Sequence, residues 1–354
     1  MKFKRDFIGM FDVLKGILMI LIVLIHTADF ILAVMPAGGG AAVTRGLMRY
    51  SSVFIVIFFI LAGYSFRPPA DIGAYIKKQA RQLLVPYGII VISSTALRTL
   101  LFTAISGRFR LQEISSGILG GLYGCVLPFE LFGRVWAGGI VALWFLLALF
   151  FGNVIYALLW RLKNQRLTIF LIWTLSAAAA LFPPVETVQL PWCIVQSCAV
   201  LGFLEIGRLL RKYKILYRRF HPLLLVPVLG VWVLAYLFSE ANVAANLWRF
   251  GPVDYAVSSA VAAAVVILYT QSGLAVARFT GLTAYIGRYS LWVLFLHSFE
   301  LLAIPWNGWL GGAIQRLGIP FGAAIFLLCA LRVGLICAVI WIGKVVSARR
   351  FGRF

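Results

Sequence analysis

Residues 12–29 read "DVLKGILMILIVLIHTAD", an apolar stretch that carries ionisable side chains at both of its ends. A bilayer core of about 30 Å is crossed by about 20 helical residues, so the stretch is long enough to span a membrane. Ionisable groups inside such a span are energetically costly and usually face a cavity, a pathway or one another. The stretch therefore predicts a membrane helix with a functional site on it.

The composition extends this prediction to the whole chain. Of its 354 residues, 62% are hydrophobic and 12% are charged, and the charged fraction is about half that of a soluble domain. Long apolar windows between short breaks favour helices over barrel strands. The ten predicted spans cover approximately residues 8–34, 50–66, 84–105, 137–160, 167–183, 190–208, 222–238, 253–274, 286–304 and 320–343.

The predicted fold class is an all-α polytopic membrane protein, with residues 1–354 forming a single membrane-embedded domain. Residues 106–136 are rich in glycine and only moderately apolar. They are predicted to form a re-entrant or outer-face segment instead of a span. The five cysteines form no C-x-x-C pattern, and with three histidines the chain offers no metal signature.

The basic residues are arranged as topology signals. A net charge of +21 would suggest a nucleic-acid partner in a soluble protein, but here lysine and arginine cluster in every second connection between spans. Such loops are typically cytoplasmic. The sequence therefore predicts a multi-pass protein of the cell (cytoplasmic) membrane in contact with the lipid bilayer, with both termini cytoplasmic and no nucleic acid bound. The oligomeric state stays open.

The first span carries two acid–base pairs. Lys15 and His26 are eleven positions apart, which on a helix places them within about 20° of one line and about 16 Å apart. Asp12 precedes Lys15, and Asp29 follows His26, by one turn. An imidazole accepts protons near neutral pH, and a neighbouring carboxylate can orient it, which suits general-base chemistry. The alternative is an interfacial ion pair with a snorkelling lysine, and a histidine that serves in packing.

At Asp12, Lys15, Gly16 and His26 this stretch resembles the opening phrase of the acyltransferase-3 family of membrane acyltransferases. Its form is similar to the branch that includes sugar O-acetylases and the enterobacterial common antigen O-acetyltransferase. Further phrases follow in the family's order, namely "FFILAGYSF" (58–66), "YIKKQARQLLVPY" (75–87), "LWFLLAL" (143–149) and "YIGRYSLWVLFLH" (285–297). Gln79 and Gln82 stand where the family often has arginine.

The resemblance implies transfer of an acyl group, usually acetyl, from acyl-CoA to a hydroxyl of an envelope saccharide or lipid-linked glycan. His26 would act as the general base, with Asp29 orienting its ring; an acyl-histidine intermediate is the alternative. Acetyl-CoA, as the acyl donor substrate, is expected to contact a set of charged residues. These are Lys15, Asp12, Lys77, Lys78 and Arg81.

Three later residues are predicted to contact the acceptor: Trp144, Ser290 and His297. Each alternative is structural, since tryptophan often packs or anchors at the membrane interface and a late histidine can be a hydrogen-bond donor. Lys77, Lys78 and Arg81 can likewise serve only as positive-inside charges that meet anionic lipid.

The residues also permit a function of another class, a proton-coupled small-molecule transporter in which His26 and Asp29 relay protons. A catalytically silent scaffold is a third reading. Arg98 and Arg332 lie within predicted spans and need partners. Glu113, Glu205 and Asp254 are the acidic candidates considered.

Overall fold

The computed structural model describes residues 7–35, 40–42, 44, 46, 51–131, 134–221, 223, 226–271, 280–304 and 306–351. Two compact units divide the chain. The terminal unit comprises Met1–Met48 and Ala275–Phe354, and the central unit comprises Arg49–Leu274.

The described chain is built almost entirely from helices. Six helices are long and apolar enough to cross a membrane, and four shorter apolar helices occupy the remaining predicted spans within the described ranges. The prediction of an all-α polytopic membrane protein is therefore confirmed. The two units are distinguished by the contacts that each makes within itself. The assignment of residues 1–354 to one functional domain stays a prediction.

Five described helices form the terminal unit. They are α1 (Phe7–Val34), α11 (Thr280–Arg288), α12 (Ser290–Ala303), α13 (Trp306–Arg316) and α14 (Phe321–Phe351). The first helix packs against all four of the others, which explains why it is so apolar.

Two glycines bring α1 and α11 into backbone contact. A Cβ atom on Gly16 would lie 1.8 Å from the carbonyl oxygen of Thr283, and a Cβ atom on Gly287 would lie 1.5 Å from that of Asp12. No side chain fits at either position without moving a backbone, and small residues of this kind allow membrane helices to approach closely. The close approach carries Arg288, the next residue, to the acidic end of α1.

The central unit contains the other helices and two short hairpins. Its described helices are α2 (Ser51–Ser65), α3 (Ile72–Gln79), α4 (Val85–Ser106), α5 (Leu111–Tyr123), α6 (Trp144–Leu159), α7 (Gln165–Leu181), α8 (Ile194–Lys212), α9 (Val226–Phe238) and α10 (Pro252–Gln271). A π-helical turn links α3 to α4 at Ala80–Leu84, and 3₁₀ turns lie at Val141–Leu143, Pro191–Cys193 and Ile215–Tyr217. The antiparallel strand pairs are β1 (Phe129–Leu131) with β2 (Arg134–Ala137), and β3 (Ala241–Asn242) with β4 (Leu247–Trp248).

Helix α8 organises the central unit, because it packs against α2, α6 and α7. Its crossing with α2 again relies on glycines. A Cβ atom on Gly63 would lie 2.0 Å from the carbonyl oxygen of Leu204, and one on Gly207 would lie 2.0 Å from that of Ile60. The "FFILAGYSF" phrase thus owes its glycine to this helix contact.

Residues 106–136 fold into α5 and the strand pair β1–β2. Helix α5 has 13 residues, and the assignment of this region as re-entrant or outer-face instead of a span stays a prediction. The glycines pack, since Tyr87 donates a hydrogen bond to the Gly121 carbonyl at 2.6 Å and a Cβ atom on Gly120 would lie 1.9 Å from the Gly138 carbonyl oxygen. Its outer-face location stays a prediction.

Candidate active site

The centre of the candidate site is the carboxylate of Glu300 on α12. Its Oε1 atom accepts hydrogen bonds from Arg332 Nε at 2.8 Å and Nη2 at 2.5 Å, and it lies 2.9 Å from His297 Nδ1. Its Oε2 atom accepts a hydrogen bond from Trp306 Nε1. A single carboxylate thus joins α12, α13 and α14.

Arg332 extends this cluster to the first helix. Its Nη1 atom donates to Thr27 Oγ1 at 2.8 Å, and Thr27 in turn donates to the Val23 carbonyl at 2.7 Å. The arginine is only 2% exposed and Glu300 8%. A buried guanidinium needs a paired charge and several hydrogen bonds to offset its desolvation, and this one has both.

His297 is the member of the cluster with an unpaired ring nitrogen. The ring is 0% exposed, its Nδ1 atom faces Glu300, and its Nε2 atom has no hydrogen-bond partner. A carboxylate on Nδ1 stabilises the tautomer with the proton there, so Nε2 carries the lone pair. Buried polar atoms are rarely left unpaired unless they serve a ligand or a reaction.

His26 lies against His297. The two ring centroids are 5.3 Å apart, and the rings are inclined at 48°. His26 is only half-buried, in contrast to the fully enclosed His297. A half-buried imidazole on α1 therefore lies against a buried imidazole–carboxylate pair on α12.

Near the start of α1, Lys15 and Asp12 form the predicted ion pair. Lys15 Nζ lies 2.9 Å from Asp12 Oδ1, and Arg288 Nε lies 3.8 Å from Asp12 Oδ2. Between this end and His26 lies an apolar cleft that is too narrow to admit a water molecule. Met19 and Val23 line it from α1, Val293 from α12, and Val333 and Cys337 from α14.

A comparison with known families identifies the family of the chain. The sequence profile of the acyltransferase-3 family (Acyl_transf_3), described as an acyltransferase domain, matches residues 8–342. The chain belongs to the acyltransferase-3 family. No curated protein and no solved structure matches the chain at a significant level. The matched residues include α1 and all of the Glu300 cluster, so the cluster lies inside the acyltransferase domain of this membrane acyltransferase.

Two predicted residues of the terminal unit are placed apart from the cluster. Asp29 is exposed, and no hydrogen bond or ion pair within the described part of the acyltransferase joins it to His26. Ser290 begins α12 and is half-buried, seven residues before His297. Their predicted roles in orienting the base and in binding the acceptor stay predictions.

The remaining predicted residues lie in the central unit of the acyltransferase. Lys77 and Lys78 end α3, Arg81 lies in the π-helical turn, and all three side chains are exposed. Pro86 has no N–H to offer the Gln82 carbonyl, and in this turn Val85 bonds instead to Ala80, five residues back. Such π-helical turns are frequent at functional sites.

Trp144 begins α6 and is 5% exposed. Its ring contacts Phe59 at a centroid distance of 6.5 Å and Phe145 at 6.2 Å. This is the environment of a packing residue, and the acceptor contact expected from the sequence stays a prediction.

Sequence reasoning missed Glu300, Thr27 and Trp306. Arg98 does pair with one of the candidate acids, because its Nε lies 3.4 Å from Glu113 Oε2. For Arg332 the candidate set was wrong, since its partner is Glu300. The spacing of His297 and Glu300, one helical turn apart, was the signal that could have revealed the pair.

Proposed function

We propose that this membrane acyltransferase transfers an acyl group, in the simplest case acetyl, from acyl-CoA to a hydroxyl of an envelope saccharide or glycolipid. Within its family, the opening phrase favours the branch of the sugar O-acetylases. His26 is proposed as the general base. The observation that carries the proposal is the contact of the His26 imidazole with His297, which belongs to a buried histidine–carboxylate–arginine cluster.

In the proposed reaction, one proton passes from the acceptor hydroxyl to the CoA thiolate, and an ester carbon–oxygen bond replaces the thioester carbon–sulfur bond. A neutral His26 nitrogen removes the proton from the acceptor hydroxyl as its oxygen attacks the thioester carbonyl carbon. The tetrahedral intermediate collapses with cleavage of the carbon–sulfur bond, and the CoA thiolate takes up the proton held by the imidazolium. A positioned base contributes about 10² to 10⁴-fold to the rate of such a step.

His297 and Glu300 are proposed as positioning residues. The Nε2 lone pair of His297 faces no described partner, so it can accept the N–H of the neighbouring His26 ring. That hydrogen bond would leave the other His26 nitrogen unprotonated toward the acceptor. Catalytic hydrogen bonds are often long before substrate binds. The 5.3 Å separation of the ring centroids agrees with two rings that form this hydrogen bond when substrate binds.

Lys15 and the apolar cleft are proposed to hold the donor. The cleft lies on α1 between Lys15 and His26, which are about 16 Å apart by helical rise, and its helices would separate to admit an arm. Its valine and methionine lining suits a pantetheine arm, while Lys15 suits an anionic group. Lys77, Lys78 and Arg81 are proposed as further nucleotide contacts, and Asp29, Ser290 and Trp144 as parts of the orienting and acceptor sites.

The test combines radiolabelled donor with isolated envelope glycan. Purified protein in nanodiscs, given [¹⁴C]acetyl-CoA and glycan from cells lacking the gene, is expected to incorporate label as an alkali-labile ester. His26→Ala is expected to lose about 10²-fold or more of this activity. His221→Ala is the matched control, because His221 is exposed and lies in the central unit.

Two results would reject the proposal. One is the absence of acyl-CoA turnover with every envelope fraction, and the other is His26→Ala activity equal to that of His221→Ala at equal folded protein. Proton uptake by proteoliposomes that depends on a solute but not on acyl-CoA would support the transporter instead.

A further inference from the structure

A second set of cations lies at the end of the terminal unit where α1 begins. Arg288 on α11 approaches Asp12 at 3.8 Å. Lys344 on α14 lies 3.9 Å from the ring centroid of Tyr289 and 4.8 Å from that of Tyr285. We call Lys15, Arg288 and Lys344 the basic mouth. The general-base mechanism uses neither Arg288 nor Lys344.

Three segments of the chain carry the same types of side chain in the same order, counted from the basic mouth toward the candidate active site. On α1 it is Lys15, then the cleft residues Met19 and Val23, then His26. On α14 it is Lys344, then Cys337 and Val333, then Arg332. These two antiparallel paths are about 16 to 18 Å long by helical rise.

The third path begins at Arg288, passes Val293 and reaches His297. Along all three paths, a cation comes first, apolar residues follow, and a member of the candidate active site comes last. A ligand that fits them has an anionic head, an arm that can lie against apolar walls, and a reactive group at its far end.

The electrostatics favour a phosphate as that head. Asp12 forms ion pairs with Lys15 and Arg288, and Lys344 forms no ion pair with a described residue, so the described part of the mouth keeps an excess of positive charge. Lys344 is held over two tyrosine rings by cation–π contact. The buried Tyr285 hydroxyl has no hydrogen-bond partner and adds a donor.

We infer that the basic mouth binds the phosphate groups of the acyl-CoA donor through Arg288 and Lys344 together with Lys15. The inference rests on the proposed function and assigns a donor-specificity role to two residues outside its mechanism. A phosphate of an anionic lipid headgroup shares this chemistry and is the other source of such a ligand.

The experiment compares two donors in nanodiscs of neutral phosphatidylcholine. Acetyl-CoA carries the nucleotide phosphates, whereas S-acetylpantetheine carries the arm and thioester without them. Arg288→Gln and Lys344→Gln are each expected to raise KM for acetyl-CoA about tenfold, the effect of losing one charge-assisted contact. With S-acetylpantetheine their kcat/KM is expected to equal that of the wild type.

A binding measurement accompanies the kinetics. Adenosine 3′,5′-bisphosphate, which carries phosphates but no arm, is expected to compete with acetyl-CoA on the wild type and about tenfold more weakly on the variants. Arg316→Gln and Lys163→Gln are the matched controls, since both residues are exposed and neither belongs to the basic mouth. Arg288 and Lys344 are exposed too, so their variants are expected to keep the wild-type Tm.

The outcomes distinguish failure of this inference from failure of the proposed function. Equal effects of Arg288→Gln on both donors, or no effect on either, would overturn the inference while leaving the proposed function intact. Donor discrimination that appears only when phosphatidylglycerol is added would assign the basic mouth to lipid and overturn it as well. Failure of the wild type to turn over either donor would reject the proposed function itself.

Discussion

Each unit buries a carboxylate beside a guanidinium, and the two clusters differ in what they leave unpaired. In the central unit, Glu205 accepts from Arg208 Nε at 2.8 Å, from Arg208 Nη2 at 2.5 Å and from the Tyr156 hydroxyl at 2.6 Å. Arg208 also lies over the Trp160 ring, 4.4 Å from its centroid. In the terminal unit, the corresponding pair is Glu300 with Arg332.

The difference is one of available chemistry. The Glu205 cluster lies on two adjacent helices, α6 and α8, and its unpaired buried atom is the Trp160 Nε1–H, which cannot accept a proton. The Glu300 cluster leaves His297 Nε2 unpaired, which can. A polar network with no free proton acceptor stabilises a helix contact, whereas a network ending in a free imidazole nitrogen beside a second imidazole can support proton transfer.

The largest expected effect comes from removing one charge of either pair. Arg208→Met and Arg332→Met each leave a buried carboxylate without its cation, and each is expected to lower the free energy of unfolding by about 3–5 kcal/mol. Unfolding in mixed detergent micelles measures this. Arg98→Met is the control, because the Arg98 side chain is 58% exposed and its pair with Glu113 is expected to contribute about 1 kcal/mol or less. Equal losses in all three variants would show that burial of the pair is not the cause.

Removing both charges of a pair sharpens the comparison. Glu205→Met with Arg208→Met and Tyr156→Phe should regain most of the lost stability, because no buried charge remains unpaired, and should keep acyl transfer near the wild-type rate. Glu300→Met with Arg332→Met should regain stability in the same way but remain about 10²-fold slower. Melting curves and turnover per folded molecule measure the two quantities. Recovery of both in the terminal unit would remove the distinction between the clusters.

A smaller effect distinguishes the thiols of the two units. Cys125 in the central unit is fully buried, so its thiol reacts only when the surrounding structure opens locally. Cys337 lines the apolar cleft and is half-buried. A variant that keeps only Cys337 is expected to react with N-ethylmaleimide several-fold faster than one that keeps only Cys125. Acetyl-CoA should slow the reaction of Cys337 alone, and protection of neither thiol would argue against donor binding in the cleft.

The sequence predicts the parts of this molecule that depend on local chemistry. Hydropathy over about 20 residues locates the ten spans because each membrane helix must be apolar along its own length. The pair of Lys15 with Asp12 also follows from local spacing. At His26 and Asp29 the same spacing gives no contact, because the imidazole lies against His297 of α12 while Asp29 is exposed, and the orienting role of Asp29 stays a prediction.

The Glu300 cluster depends on helix packing and so lies beyond spacing rules. Glu300 and Arg332 are 32 positions apart on different helices, and Thr27 and Arg332 are 305 positions apart. Only the approach of α1, α12 and α14 brings them together. Periodicity cannot reveal which acid meets a buried arginine when the choice is made by tertiary contacts.

The most direct test measures kcat and KM for Glu300→Gln and Glu205→Gln under identical conditions. Both substitutions keep the shape of the side chain and remove one buried negative charge. The account predicts that Glu300→Gln lowers kcat about 10²-fold with KM for acetyl-CoA unchanged, while Glu205→Gln lowers stability and keeps kcat per folded molecule within about twofold. Equal kcat in the two variants, or a loss confined to Glu205→Gln, would contradict the assignment of the reaction to the terminal unit.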